Sequence, residues 1–290
     1  MPHGRKKRKN KRRIVVSSTQ QIKIIILQLV VLYLLFFEAG CSVTSVKKTA
    51  YDNNGFHFEN IHLPYIPDST FYIYNPTGRY SVYYDTIHRQ AAWVAYILTS
   101  GDVKSKNYSR KNKFIVDNLI VEKGWPYSTT HDYTKTGYDR GHLLPSADRT
   151  IDQKENDATF VMSNISPQHP TLNRKIWNAL EQDIRKIALK YDSLYIVTGP
   201  DLNLVMERIG KNEVSVTERF FKTLLVKCDG EYHTVSFVIP NNSDISGTHW
   251  DYICTVREAE QLLGYDFFHN LLVSLQEKIE TAFDIKVWTP

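Results

Sequence analysis

"YDRGHLLPSADRT", residues 138–150, places an acid, a base, a glycine and a histidine side by side, with a proline and a second aspartate soon after. A lone histidine is most often a structural residue satisfied by its neighbours. Here the company changes that reading, because Asp139 and Arg140 precede His142 and Gly141 opens backbone paths closed to other residues. Further on comes "SNISPQHPTLNRKIWNALE", 163–181, which carries Asn164, Gln168, Asn173, Trp177 and Glu181. A histidine titrating near neutrality in such company can be a general base, a metal ligand or a satisfied structural residue.

The flanks determine what holds these motifs. "STFYIYNP", "YSVYYDT" and "AAWVAYILT" before them, and "SLYIVTGP", "FFKTLLVKC" and "HTVSFVIPN" after them, are short runs rich in aromatic and β-branched residues separated by turn formers, and predict strands. Between the two groups, Ile176, Leu180, Ile184, Ile187 and Ala188 recur at helical spacing and predict the main helix; a second helical pattern runs through "NLLVSLQEKIETAF". Strands, one central helix, then strands again predict an α+β core. No internal repeat or second domain is visible.

The formal charge of +5 suggests nucleic acid, but it is unevenly placed. Residues 1–40 hold Arg5, Lys6, Lys7, Arg8, Lys9, Lys11, Arg12, Arg13 and Lys23 against Glu38, and without them 27 basic residues face 30 acidic ones. A nucleic-acid site in the remainder therefore needs a local basic cleft and not an overall field. The basic stretch, the apolar run "IKIIILQLVVLYLLFF" at 22–37 and the small residues after it have the order of an export signal. Ala39, Gly40 and Cys41 resemble the end of a bacterial lipobox, with Glu38 a departure from that pattern; an uncleaved signal anchor is the alternative. The expectation is a leader over 1–40, a tether over 41–65 and a catalytic domain over 66–290. The domain would face the periplasm or cell surface of a Gram-negative-type bacterium as a membrane-anchored lipoprotein. In that compartment Cys228 and Cys254 could pair or stay as separate thiols.

With "DRGH" at 139–142, Asp148, "SNISPQ" at 163–168 and Asn173, Trp177, Leu180 and Glu181 in one order, the chain resembles the DNA/RNA non-specific endonuclease family, nucleases of the ββα-metal fold. Weaker matches are Arg110, "VTGP" at 197–200 and "FVIPN" at 237–241. The resemblance implies a central antiparallel sheet, a main helix carrying the metal ligand, and hydrolysis of DNA and RNA to 5′-phosphate ends. It makes His142 the general base and Asn173 the direct protein ligand of Mg²⁺, with Mn²⁺ as an alternative. Arg140 and Arg110 would clamp the phosphate, Lys111 and Lys113 competing with Arg110 for that role. Glu181 would act from the outer sphere, and Asn164 and Gln168 would bind substrate or hold the metal loop in shape. Homodimerisation stays open.

The residues set one geometric condition. On a regular helix, eight residues advance about 12 Å and end about 80° out of phase, so Asn173 and Glu181 share a broad face but not one coordination sphere. Pairing of Glu181 with Lys175 or Arg185 is the alternative to a role in the site. Trp177 is expected in the core, Asp148 as a pin for the loop after His142, and His131 and His169 in surface loops. Tyr138 would pack beneath the site or stack on substrate. The rival functions are a silent nucleic-acid-binding lipoprotein of the same fold and a structural or adhesive one.

Overall fold

A computed structural model describes residues 60–65, 72–75 and 79–290. The chain divides into units Met1–Phe56 and His57–Pro290, and every described residue lies in the second. The leader, Cys41 and most of the expected tether fall outside the described residues. The last stretch of that tether does not behave as one: Ile61 is buried against the core and the Tyr65 amide donates to the Asp266 carbonyl at 2.9 Å. Apolar side chains there find a sheet face to cover, which the polar composition around them obscures.

Strands are numbered along the chain. Seven of them form one antiparallel sheet in the order β1 (Tyr72–Asn75), β2 (Tyr80–Asp85), β3 (Gln90–Thr99), β6 (Ser193–Pro200), β9 (Arg219–Cys228), β10 (Glu231–Pro240) and β11 (Ile253–Cys254). Side chains alternate between its faces. Val94, Tyr96 and Leu98 of β3 meet Leu194, Ile196, Leu224 and Val226 on one face, while Trp93, Ala95, Val197, Phe221 and Leu225 meet on the other. Both faces are covered, so β3 is apolar almost throughout and does not alternate with polar residues.

Helix α1 (Asn178–Tyr191) covers the first face through Leu180, Ile184, Ile187 and Ala188, and Trp177 just before it is fully buried there. Helix α2 (Val256–Leu263) covers the second through Val256, Ala259 and Leu263. Thr255 and Glu258 close a capping box at its start, and Gly264, at φ +76°, ends it in a left-handed conformation open to glycine. Of the helical pattern near the C-terminus only α3 (Val273–Ile279) forms. Cys228 and Cys254 are separate free thiols, and burial pushes the Cys254 thiol up to about 11.

The "DRGH" motif stands apart from the large sheet. It is strand β4 (Asp139–His142), paired antiparallel with β5 (Ile165–Gln168), with Asp139 opposite Gln168 and His142 opposite Ile165. A hairpin of β7 (Val205–Ile209) and β8 (Val214–Thr217) packs beneath, where Ile165, Met162, Ile209, Val214 and Val216 form a small third core. From β5 the chain enters a π-helical turn, Leu172–Trp177, which runs directly into α1. The result is a ββα unit whose helix is anchored on the first sheet face.

Candidate active site

Where β4, the π-helical turn and α1 converge, a cavity of about 250 Å³ opens, lined by Arg110, Phe114, Arg140, His142, Ser146, Asn173, Asn178, Glu181 and Arg185. His142 is the last residue of β4. Its ring lies 4.8 Å edge-on from Phe160 and 5.5 Å from Phe114, and its buried Nε2 has no hydrogen-bond partner. Burial, and next the positive charge of Arg110, lower its pKa to about 3 and keep the imidazole neutral. Gly141 is required beside it, because a Cβ there would overlap the side chain of Gln168 on the paired strand.

Asn173 is held by Asp139. The Asn173 Nδ2 donates to Asp139 Oδ2 at 2.9 Å, and Arg174 grips the same carboxylate through Nε at 2.7 Å and Nη2 at 2.5 Å. Burial would raise the Asp139 pKa, but hydrogen bonds from Arg174 and Asn173 outweigh it and hold the carboxylate below its usual range. With its nitrogen tied to Asp139, the amide presents Oδ1 as an oxygen with no donor among the described residues. The sequence motif thus contains its own orienting group, since Asp139 and His142 sit on the same four-residue strand.

The π-helical turn resolves the geometric condition set by the sequence. Its i→i+5 bonding makes a wider turn, advancing each residue through roughly 80° instead of 100°. Over the four steps from Asn173 to Trp177 that removes about 80° of rotation, the amount by which a regular helix would leave Asn173 and Glu181 out of phase. Both consequently line the same cavity. The Glu181 carboxyl is pushed up to about 7, by burial first, opposed by the charge of Lys222 and reinforced by that of Asp148. Neither Lys175 nor Arg185 forms an ion pair with it; Arg185 Nη1 instead binds Asp148 Oδ1 at 2.9 Å.

Arg110 is the cation from its segment that reaches the cavity. Its Nη1 donates to Ser146 Oγ at 2.9 Å and its guanidinium lies 5.5 Å from the Phe160 centroid. Lys111 is paired with Asp157 at 2.8 Å, and Lys113 does not line the cavity. Arg140 lies over Phe114, 4.8 Å from the ring centroid.

Asn164 and Gln168, expected to bind substrate or to hold the metal loop in shape, both lie off the cavity wall. Asn164 is buried with its whole amide engaged: Oδ1 accepts from the Leu144 amide at 2.9 Å, and Nδ2 donates to the Leu144 and Thr159 carbonyls. It therefore shapes the loop after His142 and has no group left for a phosphate. Gln168 is also fully buried, packed against Gly141 and absent from the cavity wall. Asp148 pins the loop as expected, accepting from Tyr96 Oη at 3.0 Å as well as from Arg185. Tyr138 donates to Glu207 at 2.7 Å, the His169 Nδ1 accepts from the Thr171 amide, and neither residue lines the cavity. His131 is exposed.

The sequence does not single out Lys222 or Asn241, and it offers Arg185 only as a pairing partner for Glu181. Lys222, on β9, is fully buried, with Nζ 3.4 Å from the Leu143 carbonyl and 4.9 Å from the Trp177 centroid. It thereby bridges the His142 loop and the helix bearing Asn173. Asn241 accepts from the His169 amide at 2.7 Å and donates to the Pro167 and Thr217 carbonyls, fixing the turn that leads into the helix. The only available signal for Arg185 was its position one turn after Glu181.

A central antiparallel sheet, a docked ββα unit, and a neutral histidine facing an oriented amide across a cation-lined cavity define a phosphodiester-cleaving enzyme of the ββα-metal fold. The model of the DNA/RNA non-specific endonuclease family matches residues 73–274, and the chain belongs to that family. It is 34% identical to a nuclease of Nostoc sp. over 227 residues, 75% of this chain and 80% of that protein. To human mitochondrial endonuclease G it is 34% identical over 208 residues, 67% of this chain and 68% of the relative. A solved structure of the EndoG/EndoGI complex superposes with a TM-score of 0.65 at 29% identity, covering 74% of this chain and 91% of that one. The protein is thus a non-specific nuclease of the endonuclease G kind.

Proposed function

We propose that the protein hydrolyses internal phosphodiester bonds of DNA and RNA, with His142 as the general base and one divalent cation, Mg²⁺, held by Asn173. The observation that carries this reading is the convergence in one cavity of the neutral His142 imidazole, the Asn173 amide oriented by Asp139, and Arg110 and Arg140. No group of three or more His, Cys, Asp or Glu side chains gathers among the described residues, which suits a cation that keeps most of its water and takes few protein ligands. When bound, the cation would neutralise charge on the scissile phosphate and the departing 3′ oxygen.

His142 would take the proton of the attacking water through its neutral imidazole. Its low pKa belongs to the substrate-free site. A bound phosphate brings negative charge next to the ring, which offsets Arg110 and raises basicity once substrate is in place. Arg110 and Arg140 present planar guanidinium forks to the phosphate, stacked on Phe160 and Phe114 so that little rotamer freedom is lost on binding. Glu181 would orient water around the cation. Since water is the nucleophile, no 2′-hydroxyl is needed, and phosphate contacts that carry no sequence information explain action on both nucleic acids.

The leader supports an extracytoplasmic enzyme tethered through Cys41. Digestion of supercoiled plasmid and of RNA, with magnesium, with chelator and with His142→Ala, tests the activity. Cleavage that needs the metal and vanishes in the variant supports it, and a folded, metal-supplied protein that cuts neither substrate refutes it. Loss of the protein from the membrane fraction in Cys41→Ser tests the anchor.

A further inference from the structure

A second cavity, of about 540 Å³, adjoins the first and shares Arg110, Ala147 and Arg185 with it. The proposed reaction makes no use of the rest of its wall. Its cations are Lys106, Arg110, Arg185 and Lys186; no aspartate or glutamate lines it, although Asp183 pairs with Lys186 at 2.7 Å and Asp148 with Arg185 at 2.9 Å from outside the wall. This segregation of charge is notable in a body where acidic residues outnumber basic ones. Between the cations the wall carries the hydroxyls of Ser105 and Thr150 beside an apolar and aromatic patch, in which Val103 and Tyr108 are half-buried and Leu189 is exposed. On α1, Arg185 and Leu189 are four residues apart, so one face of a single helix passes from the phosphate-binding cavity to this one.

We infer that this cavity is a subsite for the nucleotide next to the scissile phosphate, taken as single strand, with its base against Tyr108, Val103 and Leu189 and its outer phosphate between Lys106 and Lys186. The inference rests on the nuclease reading for the position of the cleaved bond. Three observations carry it: continuity with the first cavity, a lining whose charged side chains are all cations, and the patch of Val103, Tyr108 and Leu189. A groove serving only the phosphates of a duplex has no need of such a patch, because paired bases keep their faces stacked on each other. Unpaired bases present those faces, and apolar and aromatic side chains receive them without regard to sequence. Non-specificity is therefore preserved.

The test uses the full-length chain in mild detergent, with Tyr108→Ala, Leu189→Asp, and Leu262→Asp as a control on α2, outside both cavities and as exposed as Leu189, each at 43%. Fluorescein-labelled oligothymidylates of increasing length are bound in EDTA and followed by anisotropy, and their kcat/KM is measured in magnesium. Wild type and Leu262→Asp are expected to gain about tenfold in affinity and kcat/KM on addition of one particular nucleotide, and both cavity variants to lose that step. A step unchanged in the cavity variants, a smooth length dependence in wild type, or tighter binding of a duplex than of the equally long single strand would overturn the inference. A step in EDTA without any cleavage in magnesium would remove the nuclease reading and leave the subsite standing.

Discussion

Acid should inhibit this enzyme far less than an ordinary histidine base would allow. An imidazole with the usual value is about 97% protonated at pH 5, so an enzyme that depends on it retains roughly one thirtieth of its activity. Burial against Phe114 and Phe160, then the charge of Arg110, lower His142 to about 3, which leaves it almost wholly neutral at pH 5. The acid limb of kcat/KM, which reports the free enzyme, is therefore expected well below pH 6.5. Two groups in the cavity titrate, so the profile is measured in wild type and in Glu181→Gln, because Glu181 lies near 7 and protonates first as pH falls. The limb that survives in Glu181→Gln belongs to His142. Arg110→Met removes the second cause of the depression and should move that limb upward, alongside a loss of rate from the missing phosphate contact. A limb near 6.5 in Glu181→Gln, or one unmoved when Arg110→Met is added to that variant, refutes the electrostatic account. The sign for stability follows: with its folded value depressed, neutral His142 contributes fully above pH 6.5, and that contribution is lost as pH falls from there toward 3.

Other expectations concern the supports of the site. Asp139→Ala frees the Asn173 amide and should raise the magnesium concentration for half-maximal rate by about tenfold or more, read from rate against metal, while Asn173→Ala should abolish activity at any magnesium level tested. Asp148→Ala leaves the part-buried Arg185 without its carboxylate and removes the acceptor of Tyr96; a loss of about 3–5 kcal/mol in urea unfolding is expected. Lys222→Met keeps the volume but removes a buried ammonium between the His142 loop and Trp177, and should lower kcat with little change in KM, whereas Lys222→Arg should restore part of it. Cleavage should weaken steeply with salt, and the slope of log kcat/KM against log salt should shrink by about one per cation removed from the cavity rim.

The divided strands, the buried stripe of α1 and the core position of Trp177 were legible because each depends on local periodicity, which a sequence displays directly. His142, Asn173, Arg110, Arg140 and Glu181 were legible through motif order, and the structure gathers all five around one cavity. The hairpin β7–β8 and the start of the core at Ile61 were not, since short segments owe their structure to the surface they cover. Tertiary structure alone decided the rest. Asn164 and Gln168 carry the same chemistry in sequence whether they face substrate or backbone, and only the packing of β5 against Gly141 and the loop after His142 turns them inward. Helical spacing placed Asn173 and Glu181 out of phase, and one π-helical turn, a consequence of how the entry from β5 meets the docked helix, brings them together. The sequence by itself determined the order in which these side chains follow one another; their gathering around one cavity depends on hydrogen bonds and packing between segments that no local pattern encodes.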